Sequence, residues 1–183
     1  MKNSIVMKYL LSFALSFLCS ISSFCQNWTK EMSKDFIKSP AVCTIVDLST
    51  ATVMGVPVAD FPKYYAGKFS SNEEYAQLVL DKFKNKFINN FYKTTKKEKA
   101  SIDAANYIVT YQIYEITEDA GFSGKYYVEC NNCKSRVYSF ECKDGRWNDF
   151  EELLMENVDK YWRYAKGGSK HGNPCRDNLL PKK

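Results

Sequence analysis

The length, composition and charge of the chain describe one folded domain of ordinary make-up. It has 183 residues, of which 45% are apolar and 26% charged, as is usual for globular proteins. The formal net charge is +5 and falls to +3 (24 basic and 21 acidic residues) once residues 1–25 are set aside. So mild a charge is not a nucleic-acid-binding signature, and we predict no nucleic-acid partner.

Residues 1–25 have the pattern of a secretory signal peptide. Lys2 and Lys8 precede an apolar run at 9–19, which is much shorter than the about 20 residues that a membrane helix needs. Small residues follow the run, and cleavage after Cys25 fits them. The mature chain is therefore predicted to be exported, periplasmic or secreted, without a transmembrane span.

Lipidation would instead attach the chain to a membrane. A lipid-bearing cysteine normally follows a small residue, whereas Cys19 follows Leu18 and Cys25 follows Phe24. This favours a soluble product over a lipoprotein, with association to the outer membrane as the alternative.

Residues 26–40 are predicted to form an N-terminal arm or a short helix. Trp28, Met32 and Phe36 recur every four residues, which is the spacing of one helix face. Pro40 closes the segment, because a proline disfavours a helical residue before it.

The domain proper is predicted to begin with a β-rich strand at 41–48, followed by a long connection at 49–70. Pro57 and Pro62 argue against a central strand in the connection. A connection of this length without regular structure is often an interaction surface, and the alternative is an apolar flap lying on the core. The candidate interaction residues are Met54, Val56, Phe61, Tyr64 and Tyr65. Exposed rings near Trp147 and Tyr164 are a second candidate.

Two amphipathic helices are predicted. The first begins at a capping box of Ser71 and Glu74 and runs to about Lys93. The second begins at 148–151 and ends at glycines 167–168, which are suited to a helix C-terminus. The lysines that follow Lys93 are explained by the solvated end of the first helix, where they complement its dipole.

The sheet is completed by an alternating strand at 105–117 and a hairpin with arms at 125–130 and 136–142. In the strand, Thr110 and Gln112 point away from the apolar side, so one face of the sheet is solvated.

The order strand, helix, three strands, helix predicts an α+β fold. We expect a two-layer sandwich in which a small antiparallel or mixed sheet carries two long helices on one face. The domain is predicted to span 41–167, and residues 168–183 to form a flexible tail.

This order, together with the segment Ala105-Asn-Tyr-Ile-Val-Thr-Tyr-Gln-Ile-Tyr-Glu-Ile, resembles small envelope proteins of Bacteroidetes-type bacteria. It is more distantly similar to the periplasmic α/β domain of curli-secretion-type lipoproteins. The resemblance covers about residues 41–166 and implies an exported α+β domain. It implies no activity, so no functional residue is carried over.

The cysteines are the chemically informative side chains. A mature chain beginning at Gln26 holds Cys43, Cys130, Cys133, Cys142 and Cys175. Export favours one or two disulfides among the last four, and a bridge from Cys142 to Cys130 or Cys133 is one option because the hairpin arms face each other. Cys43, in a strand, is predicted to be an inert buried thiol.

Zinc is the alternative, held by Cys130, Cys133 and Cys142 with His171 or Cys175 as the fourth ligand. Redox catalysis is disfavoured because this Cys-x-x-Cys leads into a strand and not a helix N-terminus. The one histidine lies in the predicted tail, which gives little support to a hydrolytic triad.

The sequence therefore predicts a non-enzymatic exported domain that acts through contacts with an unknown envelope or extracellular protein. It predicts no cofactor. The alternative is a small zinc-binding or thiol-using protein centred on Cys130, Cys133 and Cys142.

Overall fold

The computed structural model describes residues 28–130, 135–142 and 149–165. The helices in these ranges are α1 (Lys30–Lys38), α2 (Phe61–Phe69), α3 (Glu73–Thr95) and α4 (Phe150–Ala165). The strands are β1 (Ala41–Asp47), β2 (Thr52–Val53), β3 (Val56–Pro57), β4 (Glu98–Lys99), β5 (Tyr107–Ile116), β6 (Phe122–Cys130) and β7 (Arg136–Cys142).

Four strands form the body of a mixed sheet in the order β1, β5, β6, β7. β1 runs parallel to β5, whereas β5, β6 and β7 are antiparallel neighbours. Short β4 extends the outer side of β1, and β2 continues along β5 beyond the end of β1, with β3 paired to it. The predicted α+β class is confirmed.

Helices α3 and α4 lie on one face of the sheet and run in the same direction. Lys82 of α3 contacts Glu151 near the start of α4, and Asn90 contacts Asp159 further along. Both helices bury aromatic residues against the strands, so that Phe87 lies 4.8 Å from the ring of Tyr111. The predicted stripe of α3 is buried throughout, at Ala76, Val79, Leu80, Phe83, Phe87 and Phe91.

The helix starts differ by one residue from the predicted capping box. The side chain of Asn72, not Ser71, accepts a hydrogen bond from the Tyr75 amide at 2.6 Å. At α4, the Asp149 carboxylate accepts from the amide of Glu151 at 3.0 Å. Both residues are favoured at this position because their oxygens satisfy first-turn amides.

The predicted arm is part of the core. Phe36 of α1 is buried, and the ammonium of Lys97 donates to the carbonyl oxygens of Phe36, Ile37 and Ser39 at 2.8, 3.2 and 2.5 Å. A cation at this point satisfies the unpaired carbonyls at the helix end. Helix α1 is therefore fixed to the segment that follows α3.

The long connection at 49–70 is regular, which corrects the prediction. β2 and β3 form a hairpin through Met54 and Gly55, whose φ angles are 51° and 81°, as a two-residue turn of this kind requires. Pro62 lies in the first turn of α2, where its missing N–H costs nothing. The prolines that argued against a strand mark a hairpin end and a helix start.

Candidate functional site

The candidate residues of the insert are mostly in the core. Met54, Phe61 and Tyr65 are buried, at 6%, 0% and 6% exposure, while Val56 and Tyr64 are partly buried against the same core. The rings of Phe61 and Tyr65 lie 6.1 and 6.0 Å from that of Phe150. The predicted interaction surface is therefore wrong for the three buried residues, because α2 fills the space beside the start of α4.

The second candidate area, the rings of Trp147 and Tyr164, is not covered by the described residues. Trp147 lies outside the described residues, and so does the side chain of Tyr164. Both stay predictions.

The hairpin separates two of the candidate cysteines. Cys130 is opposite Tyr107, and Cys142 is opposite Phe122 at the other end of β6. The strand between these ends spans about 26 Å at about 3.3 Å per residue, whereas a disulfide requires Cα atoms closer than about 7 Å. A bridge between Cys130 and Cys142 is excluded.

The same geometry excludes a zinc centre that contains both cysteines, since each sulfur would have to lie about 2.3 Å from the ion. Among the described residues no group of three or more histidine, cysteine or acidic side chains could hold a metal. Cys133, His171 and Cys175 lie outside the described residues. A disulfide that joins Cys130 or Cys142 to Cys133 or Cys175 therefore stays a prediction.

Cys43 is a free cysteine, half-buried in β1. Burial raises the pKa of its thiol, and the Lys99 ammonium opposes this in part. A raised pKa lowers the thiolate fraction that would be reactive.

One polar cluster, formed by Tyr75, Lys82 and Glu151, was not predicted from the sequence. Glu151 accepts hydrogen bonds from the Tyr75 hydroxyl and from the Lys82 ammonium, the latter at 2.6 Å. The hydrogen bond to Glu151 raises the pKa of Tyr75 to about 12. Burial would raise the pKa of Glu151, but the hydrogen bonds and the charge of Lys82 outweigh it and lower that pKa.

At neutral pH Glu151 is therefore ionised and Tyr75 is neutral. Neither group exchanges its proton near pH 7, as a general acid or base would have to. The cluster joins α3 to α4 and has the chemistry of a structural clamp.

The second face of the sheet carries no described helix. Side chains that alternate with the buried ones form cross-strand rows there, and we call this surface the open face. One row runs from Ile45 through Thr110 and Tyr127 to Val137. The first three are half-buried, and Val137 is 52% exposed.

The next row of the open face is polar: Asp47, Gln112, Lys125 and Ser139. The Lys125 ammonium lies 5.0 Å from the ring centre of Tyr127, and the Tyr127 hydroxyl donates to Gln112. The strand alternation predicted this solvated face at Thr110 and Gln112. Its apolar row was missed because the alternation was followed only along the buried side of the hairpin.

Comparisons with known proteins do not extend this description. No protein-family model matches the chain, and no curated protein matches it. A crystal structure of an uncharacterized protein aligns with 69% of this chain and 85% of its own, at 8% sequence identity and a TM-score of 0.40. A likeness at that level carries no argument, so the resemblance to envelope proteins and curli-secretion-type lipoproteins stays a prediction.

Within the described ranges, no helix is both long enough and apolar enough to cross a membrane.

Proposed function

We propose that this chain is an exported, non-enzymatic domain that binds another protein through the open face. The observation that supports it is the apolar row across that face, with Val137 52% exposed. The solvated face of a largely antiparallel sheet is normally polar. Here the described helices cover one face only, and an uncovered apolar row is typical of a contact surface.

The size of the open face favours a weak or transient complex. Four strands about 4.8 Å apart and about seven residues long give a footprint of about 450 Å². An interface with that footprint on each partner buries about 900 Å² in total, which is within the range of transient encounters.

The chemistry of the two rows defines the partner. The apolar row of Ile45, Tyr127 and Val137 suits aliphatic or aromatic side chains on a flat protein surface. The polar row offers a carboxylate at Asp47 and an ammonium at Lys125, which would align a partner with the opposite charges. Such a surface binds without catalysis.

Export belongs to this proposal and is supported by the leader-like pattern of residues 1–25. An oxidising compartment would also favour disulfides that involve Cys130, Cys133, Cys142 or Cys175. Intact mass before and after alkylation would count the remaining thiols, and alkylation of every cysteine in the exported protein would contradict the disulfides.

The binding proposal is tested by photo-crosslinking in native cells. A photoreactive residue is placed at Val137 or, as the control, at Leu78, an apolar residue of α3 that is 48% exposed. We expect a discrete crosslinked protein from position 137 only. Ile45→Asp, in the same row, should abolish the product.

Two outcomes would overturn the proposal. One is the same set of products from positions 137 and 78, which would indicate nonspecific contact. The other is a product at 137 that persists undiminished in Ile45→Asp, although that protein retains wild-type stability.

A further inference from the structure

One end of the molecule collects basic side chains from three helices. Lys38, Lys93 and Arg163 are the basic residues in the last turns of α1, α3 and α4. Lys96 and Lys99 follow the end of α3. We call these five residues the basic end. Each last-turn cation complements its own helix dipole, but only the fold brings the three helix ends together.

Described contacts fix this convergence. Because α3 and α4 are parallel, their C-terminal ends meet, and Lys93 and Arg163 line one groove of about 300 Å³. The bonds from Lys97 to the last carbonyls of α1 bring Lys38 to the same place. Lys99 is paired with Val42 at the start of β1.

The basic end differs from the other lysines in its pairing. Four lysines elsewhere have carboxylate partners within 3 Å: Lys68 with Glu118, Lys82 with Glu151, Lys84 with Asp81 and Lys86 with Asp159. Within the described ranges, the five residues of the basic end make no such pair.

The acidic residues nearby do not neutralise the basic end. Glu98 is a single exposed carboxylate among the four lysines of residues 93–99. On α1, Asp35 accepts a hydrogen bond from the Tyr107 hydroxyl at 2.7 Å, and Glu31 lies nearer the helix start. Asp159 lines the groove with Lys93 and Arg163 but is paired with Lys86 at 2.8 Å, and Asp103 is an exposed carboxylate directly after Ile102. The five cations still outnumber the exposed carboxylates of Glu98 and Asp103, so the surplus at this end is positive.

An exposed aliphatic side chain, Ile102, follows Lys99 by three residues. Ile102 is 53% exposed and occupies a tight turn after Lys99. The amides of Ala104 and Ala105 both donate to the Ser101 carbonyl oxygen, at 3.2 and 3.0 Å. These bonds hold Ile102 at the tip of the turn, away from the core.

We propose that the basic end rests on an anionic phospholipid surface. The five cations contact headgroup phosphates, and Ile102 enters the boundary between headgroups and acyl chains. Cations together with an exposed apolar tip are the features of interfacial membrane binding. This surface is separate from the open face and depends on it in no way.

The test uses the full chain as recovered after export, sedimented with vesicles of phosphatidylglycerol and phosphatidylcholine (1:1) or of phosphatidylcholine alone. We expect binding to the anionic vesicles, with loss in about 1 M salt, where the Debye length is about 3 Å. Each cation near such a surface contributes a factor of about five. Lys93→Gln with Arg163→Gln should therefore weaken binding about 25-fold.

The matched control removes the same charge from elsewhere. Lys68→Gln with Lys84→Gln changes two lysines that already have the carboxylate partners Glu118 and Asp81. It should leave vesicle binding within about twofold, because both lysines lie outside the basic end and their charges are already balanced. Ile102→Ser should weaken binding about tenfold, because apolar contact is lost, without changing its salt dependence.

Several results would overturn the membrane proposal. Equal losses in the two double variants would mean that net charge alone is responsible. Equal binding to both vesicle types would remove the headgroup contact. Binding to polyglutamate with none to anionic vesicles would assign the basic end to an acidic protein. Each result leaves the open face untouched.

Discussion

The two faces of the sheet are made by the same strands, but one is buried beneath the helices and the other is exposed. Tyr126 of β6 is 1% exposed beneath the helices, while its neighbour Tyr127 lies on the open face. On β7, Phe140 is buried and Val137 is 52% exposed. Composition does not separate the faces, since each holds aromatic and aliphatic residues. What separates them is which parity of each strand faces α3 and α4.

The covered face is stabilised by closely packed aromatic rings. Phe87 is fully buried and has ring contacts of 4.8 to 6.2 Å with Phe83, Tyr111, Phe122, Phe140, Tyr161 and Trp162. Edge and tilted contacts of this kind add to the stabilisation from burial. Loss of this one ring would leave a cavity where both helices meet the sheet.

The largest contrast between the faces is expected from truncating one side chain on each. Phe87→Ala should lower the free energy of unfolding by about 3–5 kcal/mol. Val137→Ala, on the open face, should change it by less than about 0.5 kcal/mol. Urea unfolding followed by circular dichroism measures both, and comparable effects would mean that the open face is buried in the whole chain.

A smaller contrast concerns two glycines. A Cβ added at Gly124 of β6 would lie 2.2 Å from the carbonyl oxygen of Gln112, whereas nothing lies within 4 Å of one at Gly67 in α2. Gly124→Ala should destabilise by about 1–3 kcal/mol through overpacking. Gly67→Ala should stabilise by about 0.4–1 kcal/mol by restricting the unfolded chain. Thermal melts give the two signs, and a stable Gly124→Ala would show that β5 and β6 can separate there.

The smallest expected effect is the acid sensitivity of the clamp that joins the two covering helices. The pKa of Glu151 is lower in the folded chain than the usual 4.5. Its contribution is therefore present above that pH and is lost as the pH falls through the folded value. Glu151→Gln should flatten the dependence of melting temperature on pH below about 4.5.

The control for the clamp is Glu152→Gln, because Glu152 is exposed on the same turn. It should keep the acid dependence of the wild type. Equal flattening in both variants would show that the contacts of Tyr75 and Lys82 with Glu151 do not set the acid response.

The long elements could be predicted because each carries its own period. The α3 stripe and the β5 alternation repeat often enough to specify the element and its buried side. β2 and β3 have two residues each and cannot show a period. The role of α1 was missed because it depends on Lys97, some sixty residues away.

The candidate site was harder to predict than the fold, for the same physical reason. The parity of Thr110 and Gln112 indicated a solvated face, but the row that joins Ile45 to Val137 exists only through the register of four strands. The register also determines how far apart Cys130 and Cys142 lie. Facing arms suggested a bridge, while the actual pairing places Cys130 and Cys142 at opposite ends of β6.

The parallel pairing of β1 with β5 sets the order of events as the chain is made. Cys43 cannot pair with Ile108, its partner in the register, until Ile108 has been synthesised. Both strands that pair with β1, namely β4 and β5, come later in the sequence. Such distant pairing is slow to form, because a long loop must first close. A newly synthesised chain thus presents an apolar strand without neighbours until most of the protein has emerged. That interval is when aggregation competes with folding and a holding chaperone would have most effect.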